Sequence, residues 1–286
     1  MPLSLPLPVF WHSNILTAEL QRVSFNKPAA LFRPLRPHSR IPLPLEDTTV
    51  INRQDWTPGL MTLRLAARAA FRPGQFMNLG LHLPDGFVSR SYSLASAPDA
   101  PLEVLLARVG EGALTPALFE LRVGSTLQLD PKPQGFFTFD YVPPHRELWL
   151  LATGTGLGPF LSMLRSGQAF ERAERVMLVH GTRGAVELAH REELEALARA
   201  RGSAFRYLPV LSREPEAGLP EGRLTALLKS GELERYADAK IEPDSAHFML
   251  CGNPAMIDEA IALLAERGLR RHRQRTPGHI TTEKYW

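Results

Sequence analysis

A single cysteine, Cys251, stands in 286 residues. That scarcity excludes a disulfide framework within the chain and any iron–sulfur cluster held by four of its own cysteines. One-electron metal chemistry, if the protein takes part in any, belongs to a partner. No apolar run approaches the roughly 18 residues of a membrane-crossing helix, so no membrane role is expected. A reducing, cytoplasmic compartment is the expectation that goes with it. Glycine is absent from residues 1–45, which hold eight prolines and no sustained period. Prolines withdraw donors from helix and sheet alike, so this stretch cannot build a core and reads as a disordered extension. Its arginines and shortage of acids leave a transit peptide as the alternative to an extension without a role.

A true excess of charge is also missing. The chain has 33 Lys and Arg against 30 Asp and Glu, but the leader alone holds five basic residues and one acidic residue. Without it the balance is 28 against 29, and a nucleic-acid partner is not expected.

What is present changes rhythm near residue 144. From Glu46 to about Pro143, short alternating runs such as "LMTLRLA", "GQFMNLGLHL", "SRSYSLAS", "LEVLLARV", "STLQLD" and "GFFTF" are separated by Gly and Pro breakers. They predict a small antiparallel β-barrel, interrupted by one helical pattern, "TPALFELRV". From residue 144 to 286 the apolar runs "LWLLAT", "VMLVHG", "FRYLPVLS" and "HFMLCG" alternate with helical stretches. That is the pattern of a doubly wound parallel sheet, so the fold class expected is β + α/β, barrel first.

Ligands of such a sheet sit at the carboxyl ends of its strands, and the candidate residues cluster there. After the first run comes "TGTGLG", whose glycines Gly154, Gly156 and Gly158 are spaced G-x-G-x-G and not as the G-x-G-x-x-G dinucleotide fingerprint. Small residues here let backbone amides approach a pyrophosphate; a tight turn without a ligand is the alternative. No acidic residue ends the next run, which closes on Thr182 and Arg183. A ribose-clamping carboxylate is therefore excluded, while Arg183, Ser212, Arg213 and Arg223 together suit the 2′-phosphate of NADP. Each arginine by itself is a solvated surface charge. The fourth run ends in Cys251 and Gly252, and Asn253 and Pro254 start a helix that includes Met256. Cys251 lacks an activating His–Asp pair, so it reads as packing against the nicotinamide and not as a nucleophile. In the barrel, "RSYS" sets Arg90 and Tyr92 on one strand face and Ser91 and Ser93 on the other. Such a strand can bind a phosphate, stack a planar ring and hydrogen-bond its edge; an exposed polar strand is the plain alternative.

From about Glu46 onward the chain resembles the bacterial ferredoxin–NADP reductases, through "RSYS", "LLATGTGLGPFLSML", "VHGTR", "LSRE", "LCGNPAM" and the ending "RTPGHITTEKYW". The resemblance implies FAD on the barrel and NADP(H) on the α/β domain. By its R-x-Y-S motif, Arg90 contacts the FAD pyrophosphate, Tyr92 stacks on the isoalloxazine and Ser93 lies near flavin N5, while the position of Ser91 varies. Leu105, Leu106, Ala107 and Arg108 would line FAD, Ala113, Leu114 and Thr115 would reach its pyrophosphate, and Thr155 would lie close to the ring. Arg183, Ser212, Arg213 and Arg223 would surround the NADP phosphates. Tyr285 and Trp286 would fold back over the flavin, with Glu283 near enough to carry a proton; Ser93, Cys251 and Glu283 are thus the catalytic candidates. No metal is expected.

The implied activity is hydride transfer from NADPH to flavin N5, followed by release of single electrons to ferredoxin or flavodoxin. The stretch Arg270, Arg271, His272, Arg273 and Arg275 is a candidate docking patch for such an acidic carrier, with an unpartnered charge run as the alternative. A monomer is expected. Other activities that fit this scaffold are a flavin reductase, an oxygenase's reductase component, and a nucleotide sensor without turnover.

Overall fold

The computed structural model describes residues 45–273 and 275–285; the leader, Gln274 and Trp286, with what was expected of them, lie outside these residues. The first sheet comprises β1 (Glu46–Thr57), β2 (Leu60–Leu65), β3 (Phe76–Leu83), β4 (Gly86–Ser93), β5 (Glu103–Ala107) and β6 (Thr126–Leu129), in the order β4-β3-β6-β1-β2-β5. Every pairing in it is antiparallel. The two end strands then meet: Leu94 bridges Val104, and the Ala95 N–H donates to the Glu103 carbonyl at 2.7 Å. Closure removes the free edges that an open sheet would expose. Inward residues of alternating strands, among them Val50, Leu63, Met77, Leu79, Leu94 and Leu127, fill the interior, and α1 (Leu114–Phe119) packs Leu114 and Leu118 onto it.

Two details depart from the sequence expectation. β1 carries Arg53 and Asp55, and its charges conceal a strand whose Thr48 and Val50 point inward. The run "GFFTF" is not a strand, because Gly135 turns the chain at φ 104° and only Gln134 bridges to Phe76. Its alternation is lost with it: Phe137, Thr138 and Phe139 are all buried while Phe136 is 85% exposed.

The second half alternates β7 (Glu147–Thr153), α2 (Gly158–Arg165), α3 (Gln168–Arg172), β8 (Arg175–Thr182), α4 (Arg191–Arg201), β9 (Phe205–Leu211), α5 (Leu224–Ser230), α6 (Glu232–Ala237), β10 (Ala246–Gly252), α7 (Pro254–Glu266) and β11 (Ile280–Lys284). The sheet is parallel throughout, in the order β11-β10-β7-β8-β9. Both faces are covered, which is why its strands read as unbroken apolar runs. Leu148, Leu150 and Ala152 of β7 face α2 and the barrel residues Leu60, Ala95 and Leu105, while Trp149 and Leu151 face the core shared with α5 and α7. β11 was not anticipated; its polar residues suit the edge of the sheet it occupies.

The chain leaves β7 toward β8 on one side and reaches β10 on the other, so a crevice opens between the carboxyl ends of β7 and β10. The backbones there are almost in contact. A β-carbon on Gly156 would lie 2.4 Å from the Cys251 carbonyl oxygen, and one on Gly252 (φ 127°) would lie 2.3 Å from Thr153 Oγ1. Gly156→Ala is therefore expected to lower stability by about 1–3 kcal/mol, the usual cost of overpacking. Thermal denaturation checks this, and an unchanged midpoint would contradict it.

Candidate active site at the carboxyl edge of the parallel sheet

Four side chains from three segments meet where the barrel touches this crevice. Ser93 ends β4 and is buried, with its Oγ 3.5 Å from Glu283 Oε2, a long contact. Register sets Glu283 directly beside Cys251, since β11 pairs in parallel with β10. Tyr285 continues that line, its N–H donating to the Gly252 carbonyl at 3.1 Å. Its hydroxyl is hydrogen-bonded with Ser93 and Cys251. Burial pushes the Glu283 carboxyl up to about 7, against the opposing effect of the Ser93 hydroxyl. Burial also raises the Cys251 thiol and the Tyr285 phenol, so both stay protonated at neutral pH. Cys251 is thereby a packing group with a weak donor and not a nucleophile.

Beside this cluster lies a cleft of about 700 Å³. The barrel supplies one wall through Thr57, Gly59, Leu60, Ala107 and Arg108. Opposite stand Thr153, Gly154 and Thr155 after β7, Thr182 and Arg183 after β8, Ser212 after β9, then Arg223, Asn253 and Met256. Local hydrogen bonds shape these loops. The Asn253 side chain caps α7 by accepting from the Ala255 and Met256 N–H groups, Pro254 fills the first turn, and the Asn253 N–H donates to Thr153 Oγ1 at 2.9 Å. The Ser212 hydroxyl donates to the Thr182 carbonyl at 3.0 Å, and Thr182 Oγ1 donates to Gly184. Arg183 pairs with Glu187 at 3.0 Å and is otherwise exposed. Beneath the glycine turn, the fully buried His180 donates from Nε2 to the Gly154 carbonyl at 3.2 Å, and burial lowers its pKa to about 4.

A profile of the oxidoreductase NAD-binding domain matches residues 150–261. The flavodoxin/ferredoxin–NADP reductase of Shigella flexneri is 40% identical over 82% of this chain and 95% of its own length. The chain belongs to the flavodoxin/ferredoxin–NADP reductase family. A ferredoxin–NADP reductase of Pseudomonas aeruginosa is 33% identical, with 82% of this chain and 95% of that protein covered. A crystal structure of a ferredoxin NADP+ reductase from Neisseria gonorrhoeae with bound FAD and NADP superposes with a TM-score of 0.80, at 32% identity over 84% of this chain and 98% of that one.

Not every residue singled out from the family motifs converges on the cleft. Arg90 is exposed and donates to the Ser89 carbonyl at 2.7 Å, while Ser91 donates across to Asn78 at 2.8 Å. Tyr92 keeps its hydroxyl buried without a partner, and burial pushes its pKa up to about 12. Leu105 and Leu106 point into two different cores, leaving Ala107 and Arg108 to reach the cleft. Ala113 is exposed at the start of α1, Leu114 is buried, and Thr115 Oγ1 closes the preceding turn by accepting from the Val109 N–H at 2.9 Å. Gly156 lies behind the glycine turn, where it serves the backbone contact with Cys251. Arg213 is exposed and outside the cleft wall, although its N–H donates to the Arg183 carbonyl at 3.0 Å.

Sequence reasoning missed His180 and the cleft residues Glu187, Thr225 and Glu259; Thr225 donates to Glu259 at 2.8 Å. Arg270, Arg271, Arg273 and Arg275 are exposed at the entry to β11, where Arg271 bridges Ile280, while Glu283 sits near the other end of that strand. They lie at the opposite end of β11 from Glu283, beside the same edge strand. Among the described residues no helix is long and apolar enough to cross a membrane.

Glu283 yields a pH prediction with a definite sign. Its folded pKa of about 7 exceeds the ordinary 4.5, so the folded state holds the extra proton between those values and stability falls as pH rises through them. Glu283→Gln should remove this slope, worth at most about 3 kcal/mol, in the protein without bound ligands. Urea denaturation at pH 5 and pH 8 tests it; equal slopes for the two proteins would contradict the assignment.

Proposed function

We propose that this chain is an FAD-dependent oxidoreductase that passes electrons between NADPH and a one-electron carrier protein, ferredoxin or flavodoxin. The observation that carries the reading is the meeting of Ser93, Cys251, Glu283 and Tyr285 beside a cleft that Arg108, Arg183 and Arg223 border. In this proposal residues 46–143 form the FAD-binding domain and residues 144–286 the NADP-binding domain.

The residues present fit both nucleotides. Among the described residues the buried Tyr92 hydroxyl has no protein partner and Arg90 has no acidic one, which suits a ring and a pyrophosphate on the barrel. Ala107, Arg108 and Thr155 border the cleft, and the resemblance would add Leu105, Leu106, Ala113, Leu114 and Thr115 to the FAD contacts. In the cleft, Arg183, Ser212 and Arg223 offer two guanidinium groups and a hydroxyl to the adenosine phosphates, with Arg213 at the rim. Gly154, Thr182, Asn253 and Met256 complete the cleft wall, with Gly252 packed behind it against Thr153.

When bound, FAD and NADPH supply hydride transfer between nicotinamide C4 and flavin N5 and the later release of single electrons. The chain contributes alignment and exclusion of water. Tyr285 lies against Ser93 and Cys251 and would hold the place beside a bound flavin until a nicotinamide took it. Glu283, poised near neutral pH, would hold a proton one long hydrogen bond away from the Ser93 hydroxyl, the group that the R-x-Y-S motif would set near a bound flavin. Cys251 keeps the floor of the pocket neutral and close-packed.

Anaerobic addition of NADPH to the flavin-loaded protein should bleach its visible absorbance; a spectrum unaffected by NADPH would refute the reading. Arg223→Ala should raise the KM for NADPH roughly tenfold to a hundredfold, the worth of a charge-assisted phosphate contact, and leave that for NADH nearly unchanged. Equal effects on both cofactors would move Arg223 away from the 2′-phosphate.

A further inference from the structure

Arg165 ends α2, the helix that begins at the glycine turn, and its guanidinium crosses to the barrel. One edge donates to the Ala95 carbonyl at 2.8 Å and to Glu103 Oε1 at 2.6 Å. The other forks onto Glu193 of α4, at 2.7 Å from Nε and 2.6 Å from Nη2. Glu103 in turn accepts from Arg64 at 2.8 Å, across β2 and β5. His190 completes the seam: Nε2 is 3.0 Å from Thr62 Oγ1, which also accepts from Trp56 Nε1 at 2.9 Å, and the two aromatic rings stand 4.8 Å apart. His190 holds a left-handed backbone at φ 58°, a conformation that packing must impose on a residue with a β-carbon.

The centre of this cluster is buried and its two ends are not: the Glu103 side chain is 4% exposed and that of Arg165 20%, against 41% for Glu193 and 50% for Arg64. Burial raises the Glu103 carboxyl, but Arg165 and Arg64 outweigh it and hold the group below its ordinary range; Glu193 is held at about 2, burial again being outweighed by Arg165 and His190. Desolvating such charges offsets most of their attraction, so a buried cluster of this kind is weak as a source of net stability. What it does supply is geometry, because a planar fork satisfied on both sides tolerates little displacement.

The geometry bears on the cleft. β2 and β5 carry Thr62, Arg64 and Glu103 in the seam, and the same paired strands end at Leu60 and Ala107 in the cleft wall. At a rise of about 3.4 Å per residue, that wall lies roughly 14 Å from the Arg64–Glu103 pair, so a rotation of about 5° there shifts it by about 1 Å. On the other side of the seam, α2 leads back to the glycine turn, and the segment before His190 carries Glu187 and Arg183. Both walls are therefore referenced to one guanidinium.

We infer that Arg165 is a positioning residue: its fork on Glu103 and Glu193 sets the spacing of the two cleft walls and thereby the register of nicotinamide over flavin. The inference rests on the proposed electron-transfer function. Two variants of the flavin-loaded full chain test it. Arg165→Lys keeps the charge and loses the fork, and Arg165→Met combined with Glu103→Gln removes both charges of the buried pair, leaving Glu193 to His190 and the half-exposed Arg64 to solvent. Flavin reduction is followed in a single turnover at saturating NADPH, with the rate expressed per folded, flavin-loaded molecule, alongside NADP+ affinity and melting temperature. NADP+ affinity should stay within about twofold, since the arginines of the phosphate site are untouched, while reduction slows on the order of tenfold to a hundredfold in both variants, as misalignment by about 1 Å produces. A wild-type rate in either variant, whether or not its melting temperature falls, makes Arg165 a structural residue only and overturns the inference. A wild-type protein that NADPH fails to reduce would instead overturn the functional reading beneath it.

Discussion

No side chain fits between the turn after β7 and the carboxyl end of β10. Gly156 and Gly252 let the two backbones approach to where a β-carbon would collide, and the Thr153 hydroxyl accepts the Asn253 N–H across the gap. That close approach draws the end of β10 under the glycine turn, and β11 and Tyr285 follow β10 by backbone pairing. Glu283, Cys251 and Tyr285 consequently arrive at Ser93 of the barrel as a consequence of register, with no loop left free to wander. A site built this way is positioned by the sheet itself, which is the arrangement that alignment of two bound rings demands.

The electrostatics divide in the same way. At the reacting edge the side chains are neutral or nearly so: a thiol and a phenol that burial keeps protonated and a carboxyl balanced near neutral pH. Formal charge is displaced to the two flanks, where arginines border the cleft and the Arg165 cluster joins barrel to sheet. A low-charge corner beside an arginine-bordered cleft suits a nucleotide that is anionic at its phosphates and flat and neutral at its nicotinamide end.

The central strands of the parallel sheet were legible because burial on both faces leaves no polar residue to interrupt "LWLLAT" or "HFMLCG". β1 and β11 were not, since one carries charges on its outer face and the other is a polar edge strand whose place depends on β10. The strand-end positions of Thr182, Arg183, Ser212 and Asn253 could be read from topology alone. The pairing of Cys251 with Glu283 could not, because it requires the register of that unanticipated edge strand. Nor could the Arg165 cluster, whose residues Arg64, Glu103, Arg165 and Glu193 come from four separate segments and are each ordinary surface residues in sequence. The place of the basic stretch at Arg270, at the far end of β11 from Glu283, likewise depends on that edge strand.

The central claim is that hydride enters at one cofactor and single electrons leave for a protein carrier. The most direct measurement mixes the NADPH-reduced protein anaerobically with oxidised ferredoxin or flavodoxin and follows carrier and flavin absorbance together. The account predicts two molecules of one-electron carrier reduced for each NADPH consumed, with flavin reoxidation keeping pace and NADH far slower as the donor. A flavin that NADPH bleaches but no carrier reoxidises, or one that NADH reduces equally well, would contradict it.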